Sequence, residues 1–418
     1  MPRHIRLINI GYPPFFGGAQ TYVHLLATSL AAGGDCAEVF TTTAGEVEAI
    51  WNRRKRGLAA GITKAEGVQV HRVPLAHLPP APYGYYGMRR LTVALAQAPG
   101  IPPSLLTRLA RFTPWVPALD TALDAASGPV DLVHGFAIPF ESLLAAGLRH
   151  ARRRGVPFVV TPFLHTGEVG DPTVERGYAM PHQIAIMREA DAVVTLTGIE
   201  REFLLQRGLA PERVHVIPAG IDVAPEVLDA PAPEPVQPAM VLFLGAVTYD
   251  KGAVHLLRAM RVLASAEVPV RLVVAGTVTG QFTRALAELP PHARERVEVL
   301  GNVSMEHKDR LLRECTVLAM PSRVDSFGLV FLEAWAAGRP VLGAQAGGIP
   351  GVLNHMKNGM LVSFGDVPDI AASIRWLVEH PAEARAMGMA GREKLRERYL
   401  WPDVARQVTD LYDRLIAQ

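Results

Sequence analysis

A chain of 418 residues is too long for one ordinary domain, and a hydrophobic content of 49% is enough for more than one core, so two globular domains are expected. Lys and Arg total 42 against 40 Asp and Glu, a balance that creates no general field for nucleic acid and leaves any polyanion site local. Cys36 and Cys315 lie far apart beside apolar runs, without the paired spacings of disulfide frameworks or zinc sites, and both are read as buried free thiols in a reducing compartment.

The opening "MPRHIRLINIGYPP" has only a brief apolar run before Gly and Pro, too short for a signal peptide or a spanning helix, and no later run is long enough to span. A cytoplasmic protein is expected, with room for contact at the inner face of a membrane. Short apolar runs then recur between turn residues: "IRLINI" at 5, "AEVFTT" at 37, "VQVHRV" at 68, "DLVHGF" at 131, "PFVVTP" at 157 and "DAVVTLT" at 191. Alternating with helical patterns such as "GAQTYVHLLATSLAAGG", they predict parallel strands buried on both faces, a doubly wound α/β domain over 1–222.

Two segments depart from that rhythm. "WNRRKRGL" at 51–58 and the stretch 83–117 mix aromatic, apolar and basic residues without a core period. One reading is a helical insertion packing on its own domain; the other is a peripheral surface for anionic lipid or a lipid-linked acceptor.

Between 223 and 239, "VAPEVLDAPAPEPVQPA" is too rich in proline for a helix or central strand to persist, and is expected to link domains. The alternation restarts with "MVLFLGAV", a helix near 252–265, "VRLVVAG", "VEVLGNV", "TVLAMPS", a helix over 327–337, "PVLGAQ" and "GMLVSF", a second doubly wound domain over 223–395. Beyond 368 the chain is helical and charged, broken near Pro402, and 396–418 is expected to pack back on the first domain.

Glycines mark the predicted ligand face. Gly17 and Gly18 follow the first strand and open the first helix, where a backbone can approach a phosphate or sugar and free amides favour an anion. The pattern is neither the dinucleotide fingerprint nor a P-loop. Gly245 ends the first strand of the second domain, and Lys251 with Gly252 opens its helix; the lysine is either a solvated charge or a point charge against a diphosphate. Downstream, Asp325 or Ser326 is the expected N-cap of the 327–337 helix, ended by Gly338 and Pro340. Glu333, among Val330, Phe331, Leu332, Ala334 and Trp335, is expected to be enclosed and to have donors from protein amides or ligand hydroxyls. Gly328 lets the helix start approach a ligand, and Gly347 with Gly348 ends the next strand, so that Gly-lined strand ends converge where open α/β sheets bind ligands.

"PSRVDSFGLVFLEAWAAGRPVLGAQAGGIPGV" resembles the acid-x7-acid signature of retaining glycosyltransferases of family 4 (glycosyl transferases group 1), and "YPPFFGGAQ", "DLVHGF", "VHVIPAGID", "LGAVTYDKG" and "GNV" fall in that family's order over nearly the whole chain. The resemblance implies the GT-B fold, two Rossmann-like doubly wound domains facing across a cleft, with the acceptor bound mainly by the first. It implies that Asp325 faces the donor sugar, Glu333 holds the ribose, and Phe327, Gly328 and Leu329 offer amides to the diphosphate. By the same resemblance Lys251 neutralises the leaving diphosphate, Gly18 approaches it, Gly301 to Val303 lie beside the base, and His165 in "TPFLHTGE" stands at the active-site rim. His134 is read as structural.

Several positions depart from the family pattern. Asp325 stands where Glu is usual, Ala246 replaces an Arg that usually partners the lysine, Ala219 replaces Asn, and Gly351 replaces a common Glu. Losing one charge-assisted phosphate contact costs about 1.5–3 kcal/mol unless another base substitutes, and Arg323 is the candidate. The expectation is a metal-independent, retaining transferase with no cofactor beyond its nucleotide-sugar donor, acting on a glycan, lipid-linked or small-molecule acceptor. A sugar-nucleotide epimerase on the same fold and a lapsed nucleotide-sugar-binding protein are the alternatives. Donor identity, acceptor and oligomeric state are not legible.

Overall fold

In the computed structural model, which describes residues 2–418, all six apolar runs of the first half are strands of one eight-stranded sheet. The strands are β1 (His4–Ile8), β2 (Cys36–Thr42), β3 (Gly61–Ala65), β4 (Val68–Val73), β5 (Leu132–Phe136), β6 (Phe158–Thr161), β7 (Ala192–Thr195) and β8 (Val214–Val216), in the order β3-β4-β2-β1-β5-β6-β7-β8. Every pairing is parallel except β3 with β4. The central strands are sealed on both faces, with Ile5, Leu7, Leu132, Val133, Val159 and Val193 fully buried. The two strands beyond the six runs lack that signature. "GITKA" of β3 is exposed throughout, joined to β4 by its backbone ladder and by Arg72 Nη1 donating to Thr63 Oγ1 at 2.9 Å, and β8 is three residues long.

Two buried polar groups lock this unit. Arg6 on β1 gives Nε to Glu38 at 2.9 Å, and its other nitrogens to the carbonyls of Leu123 and Ala126 at 2.9 and 3.0 Å. His134 on β5 bonds the Tyr412 hydroxyl through Nδ1 at 2.6 Å and Thr161 Oγ1 through Nε2 at 2.8 Å. Burial pushes its pKa down to about 3, so the imidazole is neutral and structural. That bond ties the last helix, Trp401–Ile416, to the first sheet.

The second sheet is wholly parallel: β9 (Ala239–Leu244), β10 (Val270–Ala275), β11 (Val297–Gly301), β12 (Val317–Met320), β13 (Val341–Ala344) and β14 (Met360–Val362), ordered β11-β10-β9-β12-β13-β14. Each corresponds to one of the six runs expected there. The proline-rich stretch holds one short helix, Pro225–Asp229, because Pro225 occupies a first-turn position where its missing N–H costs nothing. Arg392, on the helix Pro381–Arg398, anchors it through the Leu228 and Ala230 carbonyls. That long helix closes on the buried Trp335 because Gly391 has no side chain; a Cβ there would fall onto the indole ring. Pro402 sits in the first turn of the final helix, and the break falls just before it.

The chain divides into two compact units, one of Met1–Leu164, Glu175–Ile217 and Pro402–Gln418, the other of His165–Val174 and Pro218–Trp401. The segment 165–174 therefore belongs with the second sheet, whereas the sequence placed it within the first domain. Neither cysteine is in a disulfide, but Cys36, at the outer end of β2, is exposed rather than buried; Cys315 is buried. Among the described residues no helix is long and apolar enough to cross a membrane.

Candidate active site

In an open α/β sheet the crevice for ligands lies outside the carboxyl ends of two strands whose connections run to opposite sides. In the second unit those strands are β9 and β12: β9 pairs with β10 on one side and β12 on the other. The loop leaving β9 carries Lys251 and the loop leaving β12 carries Asp325. The lysine Nζ stands 2.6 Å from Asp325 Oδ1, with the side chains retaining 24% and 13% of their exposure.

Backbone chemistry fixes this pair. Gly252 has φ +83° and caps the helix Ala253–Ser265; a side chain there would run into the carbonyl of Pro321 on the neighbouring loop. The Arg323 amide donates to the Asp250 carbonyl at 2.9 Å, binding the two loops together. Gly347 and Gly348 press against the same place. The Gly348 amide donates to the Asp325 carbonyl at 2.8 Å, and a Cβ at either glycine would fall onto the backbone of Asp325 or Ser326. Both are buried, so they brace the Asp325 loop and do not form an open ligand face.

Electrostatics follow from the pairing. Burial raises the Asp325 carboxyl, but the adjacent Lys251 ammonium outweighs it and holds the group below the usual carboxylate range. Asp325 Oδ2 is buried and accepts no hydrogen bond among the described residues. His165 lies within electrostatic reach of both partners. Burial, then the Lys251 charge, push its pKa down to about 4, so it is neutral near pH 7. The Gly167 carbonyl, two residues on, accepts the Gly347 amide at 2.7 Å.

The helix after Asp325 is Leu329–Ala336, and neither Asp325 nor Ser326 caps it. Gly328, at φ +83°, is the N-cap and no side chain accepts there, since the Asp325 carboxylate is taken by Lys251. First-turn amides have no intrahelical acceptor, so the positive end of this helix opens beside the ion pair. Phe327 is buried edge-on against Tyr399, with centroids 5.4 Å apart, and Leu329 is half-buried. Glu333 is less enclosed than expected, retaining 28% of its side-chain exposure, and its donor is the Lys308 ammonium, 2.8 Å from Oε1. Lys308, in the charged helix Met305–Glu314, reads in sequence as a solvated lysine.

Gly245 and Gly301 end β9 and β11 with a third glycine between them. The Gly276 amide donates to the Gly301 carbonyl at 2.7 Å, and a side chain at Gly276 would collide with the Gly245 carbonyl. Gly276 closes the run "VRLVVAG" but its role needs the neighbouring strand to be visible. Val303 is half-buried just beyond, and Thr277 Oγ1 donates to Asn302 Oδ1 at 3.1 Å. In the first unit, Gly17 and Gly18 are exposed at the uncapped start of the helix Gly18–Ala32, after β1 and at that sheet's own switch between β1 and β5.

Arg323 is not a free phosphate partner in place of the arginine missing at Ala246. Its guanidinium binds Asp250 at 2.9 Å and lies 3.5 and 3.4 Å from Glu168 and Asp171. It also lies over the rings of Phe364 and Tyr249, at 4.9 and 5.8 Å. Three acids distant in sequence hold it, which no local pattern announces. Among the described residues no three His, Cys, Asp or Glu side chains gather as metal donors.

Comparison with known proteins identifies the family and the fold. Residues 226–394 match the family described as glycosyl transferases group 1, and residues 17–220 match the glycosyl transferase 4-like domain. Alpha-maltose-1-phosphate synthase of Mycolicibacterium smegmatis is 30% identical over 291 residues, 63% of this chain and 74% of that protein. MMP alpha-(1->4)-mannosyltransferase of Mycolicibacterium hassiacum is 28% identical over 306 residues, 70% of this chain and 72% of that protein. Among solved structures, sucrose-phosphate synthase from Thermosynechococcus elongatus superposes with a TM-score of 0.71 at 23% identity over 99% of both chains. HepE from Anabaena, in complex with UDP-glucose, gives 0.66 at 17% identity over 99% of this chain and 100% of that one. At these identities the structural likeness shows the fold, which is GT-B.

Proposed function

Because the chain belongs to the glycosyl transferases group 1 family and is a glycosyltransferase, we propose that it moves a sugar with retention from a nucleoside-diphosphate sugar to an acceptor, without a metal. The observation that carries the reading is the Lys251–Asp325 pair, 2.6 Å apart at the β9/β12 switch point and beside an uncapped helix start. A diphosphate arriving there meets one ammonium and a row of free amides, the electrostatic equipment for a leaving group that gains charge as the glycosidic bond breaks.

In this reading Lys251 turns from Asp325 to the diphosphate, and the amides of Phe327, Gly328 and Leu329 take its remaining oxygens. Asp325, relieved of its cation, accepts hydrogen bonds from the sugar hydroxyls. Lys308 holds Glu333 oriented toward the ribose, and Gly301 with Val303 lies beside the base. Neutral His165 serves the sugar and acceptor as a hydrogen-bonding group, not as a charge. Gly245 lets the β9 loop turn past the phosphates, and the family pattern gives Gly17 and Gly18 a part there too. No side chain is assigned as a covalent nucleophile; positioning and leaving-group stabilisation provide the catalysis. The HepE complex makes a UDP-sugar the first donor to try, and the acceptor is a glycan, a lipid-linked sugar or a small metabolite. A cytoplasmic location belongs to the same reading.

The test is nucleoside diphosphate release from a panel of nucleotide sugars, with chelator present and acceptor extracts added or withheld. Release that depends on one donor, rises with acceptor and survives chelation is expected. Binding without release under every acceptor, while an active relative works in parallel, would overturn the reading in favour of a lapsed enzyme, with Ala246 the first residue to restore to Arg.

A further inference from the structure

The charge balance of the whole chain hides a strong local imbalance. Residues 49–119 hold ten Lys and Arg against one acid, Glu66, a formal +9 in a protein whose total is +2. Everything outside this segment is therefore net negative, at −7, so the excess is concentrated on one part of the first unit. A solvated surface has no need of such segregation; recognition of an extended anion does.

The structure adds apolar chemistry to the charge. Trp51 packs against Tyr85 and Tyr86, with ring centroids 5.7 and 6.0 Å apart, joining the 51–58 loop to the helix Tyr83–Ala96. That helix has no acid, and its outer face presents Tyr83, 74% exposed, with Tyr86, Arg90 and Leu91 also exposed. Beside it Arg53, Arg54, Lys55 and Arg56 are all exposed, and neither they nor Arg90 enters an ion pair among the described residues. The neighbouring acids do not cancel them: Glu46 is half-buried and accepts the Arg56 amide at 3.0 Å, and Glu48 is half-buried near Tyr86. Arg89 turns inward and pairs with the buried Glu141, which fastens the helix to the body of the unit and leaves its other face outward.

We propose that this surface, 51–58 with the helix Tyr83–Ala96, seats the protein on an anionic phospholipid bilayer. Arginines and a lysine meet the headgroup phosphates, and Tyr83, Tyr86 and Leu91 enter the interfacial layer, where amphipathic rings are favoured. A polyanion in solution has no use for an exposed aliphatic chain; Leu91, 46% exposed beside the charges and rings, fits the interfacial layer of a bilayer. Each basic residue close to an anionic leaflet contributes about 1 kcal/mol, or about fivefold in partition.

The inference does not depend on the transferase reading, and its test reads no turnover. The full chain is sedimented with vesicles of phosphatidylcholine and of phosphatidylcholine with one-third phosphatidylglycerol. Binding to the anionic vesicles alone, weakened by salt, is expected. Replacing Arg53, Arg54, Lys55 and Arg56 together by Ser is expected to reduce partition on the order of a hundredfold or more, and Tyr83→Ser with Leu91→Ser by several-fold, at unchanged thermal midpoints. Absence of binding to anionic vesicles, or equal binding by the four-site variant, would overturn the proposal. So would loss of binding in the four-site variant alone with the Tyr83→Ser/Leu91→Ser variant unaffected, since that marks a surface for soluble polyanions.

Discussion

Replacing Lys251 by Met removes the ammonium and keeps most of the stem, which isolates the charge. Two separable effects follow from the 2.6 Å pair. The first is catalytic. Losing one preorganised donor to a leaving group costs about 2.7–4 kcal/mol, so diphosphate release should fall by about 10²–10³. The second concerns stability and has a definite sign. In the wild type Asp325 is depressed by its partner, so its contribution is present above the ordinary carboxylate pKa and is lost as pH falls through the folded value. Without Lys251 burial acts on the carboxyl against only the weaker contributions of Ser322 and His165; its pKa rises from the wild-type value, and the variant loses less stability than the wild type as pH falls toward 4. The difference in unfolding free energy between wild type and variant, about 1–3 kcal/mol at pH 7, should therefore shrink on acidification. Release assays and denaturant titrations at pH 7 and 4.5 measure the two effects. A fall in release of less than tenfold with folding intact would refute the catalytic role. A stability difference that does not change with pH would refute the electrostatic account.

Other outcomes follow from named contacts. His134, His165 and His255 have folded pKa values near 3, 4 and 4, all lowered, so between pH 6.5 and 4 the unfolded chain binds protons the folded one refuses. Unfolding free energy should drop toward acid with a slope approaching about 4 kcal/mol per pH unit from these three, and a flat profile between pH 6.5 and 5 would contradict it. Tyr412→Phe removes the partner of a buried imidazole; a loss of about 1–2 kcal/mol, with faster hydrogen exchange in Trp401–Ile416, is expected. Gly391→Val forces a branched side chain onto Trp335 and should lower stability by about 1–3 kcal/mol or more, read from the thermal midpoint. Lys308→Met leaves Glu333 without its donor; donor KM should rise about tenfold with kcat nearly unchanged, and a loss confined to kcat would speak against the ribose role.

Most of the twelve strands read in place are buried on both faces, which demands continuous apolar runs; β11 is partly exposed yet still carries Val297, Val299 and Leu300. β3 escaped because its residues are all exposed, and a strand held by hydrogen bonds instead of burial leaves no hydrophobic trace. Lys251, Asp325 and the glycines were legible at the ends of those runs, where loops follow strands. Their partners were not. Asp325 was read as a helix cap because a short-range cap is what local sequence can express, yet its carboxylate is used by a lysine 74 positions away. Gly347 and Gly348 were read as open to a ligand because glycine allows close approach; only the folded chain reveals that what approaches is the backbone of Asp325 and Ser326.

The sequence by itself determined two doubly wound domains, the strand-end loops that carry Lys251 and Asp325, and the family pattern, all properties carried by short stretches and their order. Tertiary structure decided that 165–174 belongs with the second unit, that Lys308 and not a buried amide serves Glu333, and that Arg323 is held by Asp250, Glu168 and Asp171. The physical reason is common to all three: a charge takes whichever opposite charge the fold brings within a few ångströms, and that distance is unrelated to separation along the chain.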